Sequence, residues 1–135
     1  MSIELIDYTH FYYSAIAKTA VPPLIMGKFV QIRSGSFEYL VLSPLDFTKY
    51  HANIVERFCF DQGIEGSYDA ERKRYDIHDQ AWVIVGGGKF EIDATKKTIR
   101  FCDDSMAYGK FDSQGFAKKV SSLPSFSGYS VMFDI

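Results

Sequence analysis

The sequence predicts an α+β domain: a single mixed β-sheet packed by two main helices, with an N-terminal arm in front. Three observations carry this. Aromatic residues make up 16% of the 135-residue chain, nearly all of them Phe and Tyr, and flat, half-buried rings suit a pleated surface. Several short runs alternate apolar and polar residues, as strands do. One segment, 43–62, instead spaces its apolar residues at the helical period. No internal repeat and no linker divides the chain, which reads as an arm, 1–27, ahead of one domain, 28–135.

Taken in order, Ile3 to Ala20 reads as an amphipathic helix or an aromatic-rich arm, with His10-Phe11-Tyr12-Tyr13 at its centre, and Pro22-Pro23 ends it. Lys28 to Arg33 and Phe37 to Leu42 flank Ser34-Gly35-Ser36 and read as two strands joined by a short turn. Ser43-Pro44-Leu45-Asp46 has the form of a helix start, with Ser43 as cap and Pro44 in the first turn. That helix is expected to run to Gln62 and stop at Gly63. Its apolar stripe is Phe47, Tyr50, Ile54, Val55 and Phe58, and His51 lies on the same side.

The polar stretch 65–80 suggests a hairpin around Asp69-Ala70-Glu71-Arg72. Ala81 to Val85 is an unbroken apolar run, expected to be a strand buried on both faces and broken by Gly86-Gly87-Gly88. Phe90 and Ile92, then Ile99 and Phe101, alternate with polar residues about a turn at Ala94-Thr95-Lys96, a second hairpin. Asp112 is placed to cap a helix carrying Phe116, Ala117 and Val120, and Tyr129 to Ile135 closes the chain as a strand.

Composition sets several functions aside. The formal net charge is −2, which gives no general basic surface for nucleic acid. No run approaches the roughly 20 apolar residues that span a bilayer, so no membrane partner is expected. The acidic opening Ser2-Ile3-Glu4-Leu5-Ile6-Asp7 lacks the basic start of an export signal. Cys59 and Cys102 have neither C-x-x-C spacing nor a disulfide pattern. Together these predict a cytoplasmic protein. His10, His51 and His78 lie far apart without metal-ligand spacing, so a zinc site is not expected, and no cofactor is expected. Cysteine-phosphatase, P-loop, D-x-D and G-x-S-x-G signatures are all missing.

Four features remain as candidate chemistry. His51 is either a hydrogen-bonded core histidine or a proton- or phosphoryl-handling group. Gly86-Gly87-Gly88-Lys89 is either a flexible turn or a backbone that approaches an anion, with a cation beside it. Asp103 to Lys110 is either a connecting loop or a cradle of N–H groups around Ser105. Lys28 is either a surface lysine or a cation at the rim of a site.

The succession of these blocks carries more than any one of them. Lys28-Phe29-Val30-Gln31-Ile32-Arg33, Tyr50-His51-Ala52-Asn53-Ile54, Gly86-Gly87-Gly88-Lys89 and Ser105-Met106-Ala107-Tyr108-Gly109 together resemble the phosphohistidine phosphatase (Janus/Ocnus) family, from Lys28 to the C-terminus. The Tyr-His-Ala and Ser-Met-Ala-Tyr-Gly blocks are the specific parts. The resemblance implies a mixed sheet of about six strands and metal-independent hydrolysis of phosphohistidine in proteins or peptides. It implies that His51 is catalytic, as general base or nucleophile. It also implies that Lys28, Gly88, Lys89, Ser105, Met106, Ala107, Tyr108 and Gly109 bind the phosphoryl group, the N–H groups of Ala107 and Gly109 among the donors.

The chain departs from the family in two places. Where many members carry an arginine ahead of the histidine helix, it reads Leu42-Ser43-Pro44. The segment before the glycines is longer, roughly Tyr68 to Gln80, and contains the basic run Arg72-Lys73-Arg74. Two rival readings follow. One is a catalytically weak or inactive homologue that binds phosphorylated peptides or another phosphate-bearing ligand. The other is an interaction protein that works through its aromatic N-terminal arm.

Overall fold

Residues 3–134 are described by a computed structural model. The strands are β1 (Ile3–Asp7), β2 (Leu24–Ser34), β3 (Phe37–Pro44), β4 (Gly66–Tyr68), β5 (Tyr75–Ile77), β6 (Trp82–Asp93), β7 (Thr98–Cys102) and β8 (Ser130–Asp134). Six of them form one mixed sheet in the order β1-β3-β2-β6-β7-β8, and β4 and β5 pair apart from it. Both edge strands run parallel to their neighbours, β1 to β3 and β8 to β7. The helices are α1 (Thr9–Phe11), which continues as a π-helical stretch Tyr12–Ala17, α2 (His51–Gln62) and α3 (Phe116–Ser121). This is the α+β architecture expected.

Each sheet face has its own core. On one, Phe29, Leu42, Phe90, Ile99 and Phe101 pack with Phe116 and Val120 of α3, and with Leu123 and Phe126. Phe29 meets Phe101 and Phe111 edge-on at 5.0 Å, the favoured geometry for aromatic quadrupoles. On the other, Val30, Ile32 and Val41 pack under Ile54, Val55, Phe58 and Cys59 of α2. Covered on both sides, β2 and β3 are almost continuously apolar at their centres. Buried polar exceptions include Gln31 on β2 and the charged Glu38 on β3. Arg33 at 2.7 Å and Lys119 of α3 at 2.9 Å hold Glu38. Its neighbours hold its carboxyl below the usual range against the opposing effect of burial, Lys119 and Arg33 both favouring the anion.

The N-terminal segment is not a separate arm. Ile3–Asp7 pairs with β3 inside the main sheet, and β2 begins at Leu24. Residue 135 of the expected last strand lies outside the described residues.

Three further expectations change. The helix expected from Ser43 starts at His51, because Ser43 and Pro44 remain in β3 opposite Lys28 and Gly27. The Ser43 hydroxyl is taken by Thr48 across the intervening turn. Glycines 86–88 do not break a strand but lie within β6. The irregularity falls one residue earlier, where Val85 is extra between the pairs Gln31↔Gly86 and Ile32↔Ile84. The 81–85 run is only partly buried, with Val83 exposed. Finally, Asp112 does not cap α3, whose N-cap is Gly115 at φ 69°. Asp112 binds Arg33 at 3.0 Å and accepts the Gln114 N–H.

The expected hairpins form. Gly35 takes φ 60° between β2 and β3, and Lys97 takes φ 53° between β6 and β7. Asp69 accepts the Lys73 N–H at 2.8 Å in the β4–β5 turn. α2 ends at Gly63, at φ 69°, with the Ile64 N–H closing onto the Cys59 carbonyl.

Candidate active site

His51 is the first residue of α2, not a mid-helix residue. Tyr50 precedes it in extended conformation, and Asn53 reaches back to accept the Tyr50 N–H at 3.1 Å. This start turns the imidazole down onto β6. His51 is 8% exposed, and its Nε2 lies 2.8 Å from the Gly88 carbonyl oxygen. A carbonyl only accepts, so Nε2 carries the proton and donates it, and the neutral ring keeps its lone pair on Nδ1. Burial pushes the imidazole pKa below its ordinary value. The bond to Gly88 opposes this, the Lys28 ammonium adds to it, and Asp103 and Asp104 oppose it.

The glycines explain how the ring fits. A Cβ on Gly87 would lie 2.5 Å from the Phe29 carbonyl oxygen and 3.0 Å from His51 Cδ2. One on Gly86 would meet the Lys110 carbonyl at 2.2 Å, and one on Gly88 the Cys102 carbonyl at 2.4 Å. The run therefore leaves room for the imidazole on one face of β6, at Gly87, and for neighbouring backbone on the other, at Gly86 and Gly88. It does not cradle an anion itself, since the Gly87 N–H is taken by the Gly109 carbonyl at 3.1 Å.

Two lysines flank this point. Lys28 and Lys89 are register partners on β2 and β6, so their side chains leave the same face of the sheet. Lys28 Nζ donates to the Lys49 carbonyl at 2.8 Å and lies over the Tyr50 ring. Lys89 pairs with Asp103 at 3.2 Å, and that ammonium, with the Asp104 N–H, holds the Asp103 carboxyl below its usual range. Asp103 itself takes the left-handed conformation, φ 65°.

Ser105 to Gly109 forms a loop closed on itself. The Gly109 N–H donates to the Ser105 carbonyl at 2.7 Å, and the Ser105 N–H donates back to Gly109 at 3.1 Å. The Ser105 hydroxyl, buried, accepts the Tyr108 N–H at 3.1 Å. Tyr108 packs in the α2-side core, with its hydroxyl on the backbone of Tyr75. Among the described residues, the N–H groups of Met106 and Ala107 have no partner. Met106 stands fully exposed. Gly109, expected as a donor to phosphate, uses its N–H inside the loop instead.

The structure thus brings His51, Lys28, Gly88 and Lys89 to one place, with Gly87 linking them to the Ser105–Gly109 loop. Sequence reasoning missed the helix terminus. With α2 beginning at His51, the His51 and Ala52 N–H groups are its unpaired leading donors, and the helix dipole adds positive potential there. Asn53, three residues after Tyr50, was the available signal. It also missed Lys49, which approaches the Tyr50 ring. Of the basic run Arg72-Lys73-Arg74, which the sequence offers either as a solvated hairpin tip or as a substitute for the missing arginine, Arg74 donates to the Ala107 carbonyl at 3.2 Å.

Among the described residues no group of His, Cys, Asp or Glu is arranged to hold a metal ion, and no helix is long and apolar enough to cross a membrane. No protein-family model matches the chain, and no curated protein matches it significantly. A buried neutral imidazole with a lone pair, two lysines and outward N–H donors form a set that can take a proton beside a bound oxyanion.

Proposed function

We propose that this protein is a metal-independent phosphohistidine phosphatase of the Janus/Ocnus type, hydrolysing the P–N bond of phosphohistidine in proteins or peptides in the cytoplasm. The observation that carries the reading is His51, the first residue of a helix, held neutral by burial with Nε2–H fixed on Gly88. Its Nδ1 lone pair is free for the work.

Phosphoramidate chemistry asks little of such a site. The P–N bond breaks readily once the leaving nitrogen is protonated. Lys28, Lys89 and the N–H groups of His51, Ala52, Met106 and Ala107 neutralise the phosphoryl oxygens. In the base route, water forms the new P–O bond, its proton passes to His51 Nδ1, and the leaving imidazole takes a proton from solvent as P–N breaks. In the nucleophile route, Nδ1 takes the phosphoryl group first and water then removes it. An acid-labile phosphate trapped on the protein distinguishes the two.

The test is release of inorganic phosphate from a phosphohistidine peptide in the presence of EDTA, comparing wild type with His51→Ala. Turnover in wild type and its loss in a folded variant is the expected result. No turnover by wild type across pH 5 to 9 overturns the reading. The Lys89–Asp103 ion pair, which draws one cation away from a phosphate, favours the second reading, a homologue that binds phosphorylated ligands without turning them over. Phosphate binding without hydrolysis is its signature.

A further inference from the structure

The β4–β5 hairpin lies beside the Ser105–Gly109 loop, and the contacts between them are specific. Tyr108 bolts the two together. Its hydroxyl donates to the Tyr75 carbonyl at 2.7 Å and accepts the Tyr75 N–H at 2.9 Å, so one side chain occupies both backbone groups of that residue of β5. Next to it, Arg74 makes three contacts. Nε pairs with Asp76 at 2.7 Å, Nη1 donates to the Ala107 carbonyl at 3.2 Å, and the guanidinium lies 5.3 Å from the centre of the Tyr108 ring.

The consequence falls on one peptide plane. The Ala107–Tyr108 peptide has its carbonyl held by Arg74 and its N–H held by the Ser105 hydroxyl. With that plane fixed at both ends, the preceding N–H groups of Met106 and Ala107 are left as the loop's unspent donors. The hairpin is itself tied to α2, since the Tyr68 hydroxyl accepts from Asn53 at 3.1 Å and donates to Glu56 at 2.8 Å. It therefore joins the helix that carries His51 to the Ser105–Gly109 loop.

We infer that Arg74 is a positioning residue of the site: from the hairpin it fixes the Ser105–Gly109 loop in the form that presents the Met106 and Ala107 N–H groups to a phosphoryl oxygen. This rests on the phosphate-handling reading above. A planar guanidinium can hold Asp76, the Ala107 carbonyl and the Tyr108 ring together, and a lysine ammonium cannot.

The experiment titrates inorganic phosphate into the 15N-labelled full chain and into Arg74→Ala and Arg74→Lys, with amide hydrogen exchange of the loop read in the same samples. Wild type is expected to show phosphate-dependent shifts at Met106, Ala107, His51 and Ala52. In Arg74→Ala, exchange at Tyr108 and Gly109 accelerates and phosphate affinity falls about tenfold, the scale of one charge-assisted hydrogen bond. The shifts at His51 and Ala52 remain, which separates a loop effect from general unfolding. Arg74→Lys behaves like Arg74→Ala. Unchanged exchange and affinity within twofold of wild type overturn the inference alone, as does full rescue by lysine, which assigns the effect to charge. Absence of any phosphate response in wild type overturns the reading of the site, and the inference with it.

Discussion

Gly87→Ala adds one methyl group where the imidazole of His51 rests on β6. The new Cβ would stand 2.5 Å from the Phe29 carbonyl oxygen, 3.0 Å from His51 Cδ2 and 3.4 Å from His51 Nε2. Carbon and oxygen normally approach no closer than about 3.3 Å, an overlap of roughly 0.8 Å here. The clashing oxygen belongs to the backbone of the adjoining strand, so no side-chain rotation relieves it. Either β2 and β6 separate or the glycine strand twists. Overpacking of this kind costs about 1–3 kcal/mol. Displacing the ring also strains the 2.8 Å bond from His51 to Gly88, worth about 1 kcal/mol. The expected loss is therefore about 2–4 kcal/mol, measured as a lower urea midpoint at unchanged slope. In the same variant the His51 ring resonances should move, because the group that fixes its tautomer has shifted. A variant as stable as wild type, with unmoved His51 resonances, would refute the packing of His51 on Gly87.

His51 should titrate below the ordinary histidine value of about 6.5 in an NMR pH series, since burial leads the influences on it. A folded-state pKa below the unfolded one means that the unfolded chain binds more protons between the two. Stability is then lost as pH falls from about 6.5 through the folded value, levelling off below it; comparing urea midpoints with those of His51→Gln isolates this contribution, and a titration at or above 6.5 contradicts it. Asp103→Asn keeps a residue that tolerates the left-handed backbone and frees Lys89, so inorganic phosphate should bind more tightly by calorimetry; unchanged or weaker binding would show that the Lys89–Asp103 pair does not compete with the anion. Glu38→Ala leaves Lys119 without its carboxylate and Arg33 with Asp112 alone, beside a buried gap, and should cost about 3 kcal/mol in urea denaturation, a loss below about 1 kcal/mol showing that this network contributes little.

Much of the fold was legible because it is written in local periodicity. Alternation marks β7 and the second half of β6, and Gly35, Asp69 and the 94–97 turn mark the hairpins between strands through ordinary turn chemistry. Gly63 stops α2 for the same local reason. The candidate residues were legible as a succession of short blocks, and Lys28 and Lys89 leave the sheet face on which His51 rests. What periodicity could not supply was the helix start. Ser43 and Pro44 have the chemistry of a helix cap, yet pairing with β2 and the Thr48 hydroxyl keeps them in the sheet. A local preference of about 1 kcal/mol yields to an extended ladder.

The sequence by itself determined the two apolar periods, the turns, the absence of metal-ligand spacing and the identity of the groups available for chemistry. Those follow from each residue and its near neighbours. Tertiary structure alone decided that the glycine run is a strand, because only the packed fold brings the Phe29, Lys110 and Cys102 carbonyls and the His51 ring within contact of its missing side chains. It also decided that Tyr108 is a bolt, that Gly109 spends its N–H inside the loop, and that Arg74, 33 residues before Ala107 in the chain, holds that loop from a separate hairpin. These are long-range contacts between groups with no local signature, and only the folded chain brings them together.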